Sequence, residues 1–318
     1  MPMLDIEGLS VTFGSGANRV RAVRQVNLQI PRGAIHGLIG ESGCGKTMTG
    51  MSLLGLLPEG ARIEAGRFRF DGMELRDVAA SLRGRRIALI SQDPAAALNP
   101  VLSIGRQIDD VLRSHRSAPR HERRSEAVEL LAATGLPDPE RVLRSYPHQL
   151  SGGMQQRVVI AQALATGAEF LIADEPTTAL DVTVGAQVLA LLKRLVTERG
   201  LTVLMITHDM DVVAEVCDRA TVLYAGLTVE EGPTEAVLAN PRHPYTQALL
   251  AALPDGARKG ERLAAIEGRI PPPQEEIKGC AFAPRCPKVM AICATVSPPD
   301  RQAGQRRWLC HLEEGANG

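Results

Sequence analysis

Gly40-Glu41-Ser42-Gly43-Cys44-Gly45-Lys46-Thr47 decides the fold of this chain. The stretch fits G-x-x-x-x-G-K-[ST] and lies between two apolar runs, Ala34 to Ile39 before it and Met48 to Leu57 after it. Strand, tight loop and helix in that order are the setting in which the pattern is a phosphate-binding loop. Gly40, Gly43 and Gly45 let the backbone turn with its N–H groups inward, Ser42 and Cys44 add amide donors, and the helix start carries partial positive charge. Lys46 is suited to the β and γ phosphates of a nucleotide and Thr47 to Mg²⁺.

Three further motifs follow in fixed order. Leu171-Ile172-Ala173-Asp174-Glu175-Pro176 is an apolar run ending in two carboxylates, as expected of a buried parallel strand whose C-terminal edge faces a ligand. Asp174 suits the outer shell of Mg²⁺, and Glu175 suits a base that polarises an attacking water. His208, in Thr207-His208-Asp209, follows the apolar run Thr202 to Thr207 and is placed to contact a γ-phosphate; Gln92, after Ile87 to Ile90, is placed to join metal and water. The remaining motif, Leu150-Ser151-Gly152-Gly153-Met154-Gln155-Gln156-Arg157, puts Ser-Gly-Gly before a helical run. It reads as a helix N-cap with exposed amides, a second anion site on the same chain.

With these four motifs the chain resembles the nucleotide-binding subunits of ATP-binding cassette (ABC) transporters, whose signature sequence Leu150 to Gln156 matches. The resemblance implies ATP and Mg²⁺ as ligands, and a head-to-tail pair of subunits in which Ser151, Gly152 and Gly153 of one bind the γ-phosphate held on the other. It places Thr178-Ala179-Leu180-Asp181 at the dimer seam and Phe13 against adenine. Ser91-Gln92-Asp93-Pro94, Ala97-Leu98-Asn99-Pro100, Tyr146 to Leu150, Asp181 to Val184, Tyr224-Ala225-Gly226 and Pro241 to Thr246 are similar to the oligopeptide, dipeptide and nickel importer branch.

Composition agrees. Lys and Arg number 36 and Asp and Glu 36, so no global basic field argues for nucleic acid. The first residues, Met1 to Glu7, are acidic early and lack an apolar signal region, and no apolar run approaches the ~18 residues of a membrane span. The expected location is the cytoplasmic face of the inner membrane. Apolar alternation in Leu4 to Phe13 and Val26 to Ile30, with short buried runs at 35–39, 87–90, 171–173 and 203–206, predicts an α/β fold with an antiparallel N-terminal β region. Ser103 to Leu112 and Glu122 to Thr134 are helical in pattern and predict an inserted helical subdomain at about 93–165, with Arg113 to Arg124 as a solvated link. The division expected is a nucleotide-binding domain over 1–253 and a C-terminal extension over 254–318.

That extension opens past Leu253-Pro254, has a stiff connector at Pro271-Pro272-Pro273, and holds Cys280, Cys286, Cys293 and Cys310 in the spacing C-x5-C-x6-C-x16-C. In a reducing compartment such clustering favours metal ligation over disulfides. The thiolates suit a [4Fe–4S] cluster or, with His311, zinc; the bland alternative is a small apolar knot without metal. Spacing does not choose between them, and resemblance to cluster-bearing peptide-importer subunits favours iron. Cys44 reads as a tolerated small residue and Cys217 as core.

The resemblance implies an ATPase that energises import of di- and oligopeptides. It would work with a second ABC ATPase subunit, two membrane permeases and a substrate-binding protein on the outer side. Import of nickel or another small solute is the runner-up. A soluble ABC ATPase acting on nucleic acid is the contrasting class, disfavoured by the single cassette and the balanced charge.

Overall fold

The structure, a computed structural model, describes residues 1–16, 19–253 and 266–312. The boundary expected at 253/254 opens onto residues 254–265, outside the described residues. The chain divides into two compact units, one of residues 1–30, 36–76 and 207–318, the other of 31–35 and 77–206.

The first unit begins with β1 (Leu4–Phe13) and β2 (Val20–Ile30), paired antiparallel. The apolar alternation drives this pairing: Leu4, Ile6, Leu9 and Val11 are buried on one strand, and Val23, Val26, Leu28 and Ile30 on the other. β3 (Ile35–Ile39) is buried at every position and runs through residues 40–45 into α1 (Lys46–Leu53). β4 (Arg62–Glu64) and β5 (Arg67–Phe70) both pair antiparallel with β1, and β6 (Met73–Glu74) pairs with β5. In β5 the arginines point out and Phe68 and Phe70 point in, which is the period of two written in the sequence.

The main stretch of the second unit begins at Asp77 within α2 (Leu75–Leu82) and continues with β7 (Ile87–Ile90), α3 (Pro94–Ala97), α4 (Ile104–His115), α5 (Arg120–Ala133), α6 (Pro139–Arg144) and α7 (Gly152–Ala165). α4, α5 and α6 pack on one another, and α7 packs on α3, α4 and α5. β8 (Phe170–Asp174), α8 (Val182–Arg199) and β9 (Thr202–Thr207) complete it, with β7, β8 and β9 side by side and parallel. The link expected over Arg113 to Arg124 is a correction: helix continues to His115 and resumes at Arg120, so only 116–119 connects. The charges there are used on the folded surface, Arg123 donating to both oxygens of Asp109 at 2.6 and 3.3 Å.

The chain then returns to the first unit with α9 (Met210–Val216), β10 (Arg219–Tyr224), β11 (Leu227–Pro233), α10 (Thr234–Ala239) and α11 (Pro244–Ala251). β10 lies parallel to β3 and antiparallel to β11, and β11 touches β2 at Leu227 and Gln25. β12 (Asp300–Ala303) and β13 (Arg306–Leu309) form a hairpin, and β13 joins β11 through Trp308 opposite Glu230. This hairpin has no counterpart in the sequence reading; the available signal was Gly304-Gln305, a two-residue turn with Gly304 at φ +59°. Cys217 is buried, as expected of core, and burial pushes its thiol up to about 12.

Candidate functional site

The phosphate loop of the first unit is set by two glycines. At Gly40 (φ +154°) an added Cβ would stand 2.3 Å from the Leu223 carbonyl oxygen, and at Gly45 (φ +104°) 2.6 Å from that of Ala22. Both positions therefore exclude any other residue. Lys46 is buried, and its ammonium donates to the carbonyl oxygens of Gly40 at 2.6 Å and Glu41 at 3.1 Å, which holds the cation over the loop. Cys44 is fully buried, its carbonyl accepts from Gly226 N–H at 2.9 Å, and desolvation raises its thiol pKa. Its side chain is buried in the core, where the sequence suggested only a tolerated small residue, and its backbone belongs to the loop. Ser42, Gly43 and Thr47 are exposed.

Four residues outside the motif, Tyr224, Tyr245, Phe282 and Arg285, complete the loop's surroundings, and the sequence reading gave none of them a role there. The Tyr245 hydroxyl accepts from Glu41 N–H at 3.0 Å. Arg285 donates to both carboxylate oxygens of Glu41, at 2.8 and 3.1 Å, and to the Tyr224 hydroxyl at 3.4 Å. Tyr224, Tyr245 and Phe282 pack ring against ring, with centroids 4.6 to 5.4 Å apart. The sequence signal was the Pro-Arg-Cys run beside a candidate ligand, which drew attention to the cysteine alone.

Phe13 ends β1, opposite Val20 and beside Gly14. Phe68, Phe70, Phe170 and Phe282 are fully buried, whereas Phe13 keeps part of its ring exposed, the state needed for a ring to stack on a ligand. His208 follows β9 and is exposed, and Asp209 caps α9 by accepting from Asp211 and Val212.

In the second unit the structure brings together residues 83 positions apart. Gln92 Nε2 donates to Glu175 Oε2 at 3.1 Å, and the Thr178 hydroxyl donates to the same oxygen at 3.0 Å. Glu175 takes φ +47°, a strained conformation for a side-chain-bearing residue and one typical of functional positions. Its N–H donates to the Ile206 carbonyl at 2.8 Å, which helps hold that backbone in place. Asp174, one residue earlier, is the buried end of β8. Ser151 caps α7 with its hydroxyl accepting from Met154 N–H, and Ser151 and Gly152 are exposed. Gly153 is buried, and an added Cβ would come 2.2 Å from a methyl of Val184 on α8. Asp181 caps α8 by accepting from Val184 N–H at 3.0 Å, and Val182 beside it is 91% exposed.

The four C-terminal cysteines also converge. Cys280, Cys286, Cys293 and Cys310 are free thiols that line one small cavity with His311 and Phe282. Burial pushes the Cys280 thiol up to about 11, and the neighbouring thiols push in the same direction. Among the described residues no group of three or more His, Cys, Asp or Glu side chains is placed to hold a single metal ion. The Cys₃His zinc arrangement is therefore not formed among them; His311 Nε2 lies 2.9 Å from the Val296 carbonyl oxygen instead.

A family model for ABC transporters matches residues 23–178, and one for the C-terminal region of oligopeptide/dipeptide transporters matches residues 229–293. The dipeptide transport ATP-binding protein DppD of Haemophilus influenzae is 40% identical over 100% of this chain and 98% of its own. DppD of Escherichia coli K12 is 41% identical over 98% and 97%. The chain belongs to the ABC transporter family, in the branch that carries the oligopeptide/dipeptide C-terminal region. Among solved structures, a dimeric ATP-binding cassette in a post-hydrolysis state bound to ADP and Pi matches this ABC chain with a TM-score of 0.63 at 30% identity, over 73% of this chain and 99% of that one. cbiO1 of Clostridium perfringens, part of the cbiONQ transporter complex, matches with a TM-score of 0.66 at 28% identity, over 75% and 91%. This ABC subunit is thus an ATPase of the transporter type with a mixed α/β cassette fold. Among its described residues no helix is long and apolar enough to cross a membrane.

Proposed function

We propose that this ABC ATPase energises import of di- and oligopeptides from the cytoplasmic face of the inner membrane. Similarity along the whole chain to dipeptide transport ATP-binding proteins carries this reading, because it extends through the C-terminal region as well as the cassette. By the same likeness the partners are two membrane permeases, a substrate-binding protein on the outer side and a second, related ATPase subunit. Ser151 and Gly152 at the exposed start of α7, with Asp181 and the exposed Val182 at the start of α8, are the surfaces offered to that second subunit.

The reaction is phosphoryl transfer to water, in which positioning and charge stabilisation supply most of the rate. Lys46 and the amides of residues 40–47 bind the phosphates, and Phe13 stacks on the adenine. Thr47, Asp174 and Gln92 offer the hard oxygen donors that suit Mg²⁺, which when bound neutralises phosphate charge. Glu175 accepts a proton from the attacking water, Gln92 and Thr178 orient its carboxylate, and His208 contacts the γ-phosphate. Uptake of labelled di- and tripeptides in cells carrying this chain or its Lys46→Ala variant tests the reading, with labelled nickel as control. Peptide uptake should vanish in the variant while nickel uptake is unchanged; the reverse result would make this a nickel importer.

The cysteine segment is proposed to hold a [4Fe–4S] cluster. A cluster brings its own iron and sulfide, so its ligands need to face one cavity rather than close around one ion, and four free thiols do face one cavity. Anaerobically purified protein should contain about four iron and four sulfide per chain, and Cys286→Ser should lower both. Iron and sulfide at background in the unaltered protein would leave the thiols as a metal-free knot.

A further inference from the structure

We infer that Arg285, in the C-terminal extension, is a positioning residue of the ATP site: it clamps the phosphate loop and neutralises the carboxylate that the loop itself carries. The inference rests on the reading of residues 40–47 as the phosphate loop. Glu41 is the second residue of that loop, and every part of it is occupied. Its N–H donates to Tyr245 Oη, its carbonyl accepts from Lys46 Nζ and from Cys44 N–H at 3.2 Å, and its carboxylate takes a two-pronged bond from Arg285. The Arg285 guanidinium is in turn fixed on all sides. Nε donates to the Glu267 carbonyl and Nη2 to that of Ile266, both at 2.9 Å, and the group lies over the Tyr224 ring at 5.8 Å. Its side chain is only 3% exposed.

A bidentate, nearly buried arginine costs much to desolvate, and the same loop could be held by a neutral contact. What a neutral contact could not do is cancel charge. A carboxylate borne by a loop built to receive polyphosphate repels its ligand through a medium less screening than water. With Arg285 in place the pair is neutral, and the loop's amides, Lys46 and the start of α1 act on the phosphates without opposition. The clamp also fixes the Glu41 carbonyl on which the Lys46 ammonium rests, so the loop is ordered before nucleotide arrives. Arg285 immediately precedes Cys286 and ends the 3₁₀ turn Ala283–Arg285, so the cysteine segment is tied by one residue to the ATP-binding loop.

The test uses the purified full chain, with a fluorescent ATP analogue for affinity and phosphate release for turnover. Arg285→Gln exposes the Glu41 carboxylate and should weaken nucleotide binding about tenfold and raise KM, with kcat nearly unchanged, and the loss should shrink as salt is raised. Adding Glu41→Gln to it removes the repulsion and should bring affinity back to within about threefold of the original. A clamp that is only structural predicts the opposite, a double variant no better than Arg285→Gln, and that result would overturn the inference, as would normal affinity in Arg285→Gln. If Arg285→Gln does not fold, Arg285→Lys keeps the charge without the fork and should bind ATP within about threefold, whereas a loss as large as that of a neutral residue overturns the role of charge. Lys46→Ala separates the two readings: if it binds nucleotide normally, the phosphate-loop reading itself fails; if it loses binding while Arg285→Gln does not, only this inference does.

Discussion

At the scale of single residues, the chemistry converges on Glu175. Its carboxylate is held by Gln92 and Thr178 and its backbone is held at φ +47°. Replacing it with Gln keeps the shape and removes the base. Glu175→Gln should bind ATP normally and lose at least ~100-fold in turnover, measured by nucleotide affinity and phosphate release on the same preparation; turnover within a few-fold of normal would remove its assigned role. Gly40 shows the complementary case, in which backbone rather than side chain is needed. Gly40→Ala puts a carbon 2.3 Å from the Leu223 carbonyl oxygen in a conformation side-chain-bearing residues rarely adopt, so it should abolish nucleotide binding.

Between elements, the start of α7 is pressed against α8 at Gly153, where the nearest methyl belongs to Val184. Gly153→Ala should therefore tilt α7 and disturb the signature residues it presents, lowering turnover far more than it lowers affinity of the single subunit for ATP. Trimming the neighbour tests the cause, since Val184→Ala on the same chain makes room and should recover most of the lost turnover. The β12–β13 hairpin is the second case. Trp308 is buried and sits opposite Glu230 on β11, while the fully buried Phe282 packs on Tyr224 and Tyr245. The C-terminal segment thus has an apolar anchor of its own, beside its cysteines. Trp308→Ala should cost about 3–5 kcal/mol in denaturant unfolding of the first unit.

For the molecule as a whole, the pH dependence of stability lies with two buried histidines of the first unit. Burial holds His36 and His243 neutral with pKa values of about 3 against an ordinary 6.5. The unfolded chain therefore binds more protons than the folded one between those values, and stability falls as pH drops through that window. Each histidine should cost about 2 kcal/mol by pH 5, relative to neutral pH. Denaturant titrations at pH 7.5 and pH 5 on the unaltered chain and on His36→Asn/His243→Asn check this, and the substituted chain should lose correspondingly less. Equal losses in both would place the dependence elsewhere.

The sequence by itself determined the elements that carry local codes. The loop 40–47 is written in glycines that only one backbone path can use, Asp174 and Glu175 follow an apolar run that must be a buried strand, and Ser151 is a helix cap recognisable from its neighbours. Strand pairing in β1 and β2 was likewise readable from alternation. Contacts between distant segments carry no local code, so only the tertiary structure decided them. It joined Gln92 to Glu175, faced four irregularly spaced cysteines onto one cavity, and laid a C-terminal hairpin on β11. It also set Arg285 on Glu41 across 244 residues. The physical reason is the same in each case: periodicity and capping are fixed within a few residues, whereas an ion pair or a shared cavity exists only after folding has ordered both of its sides.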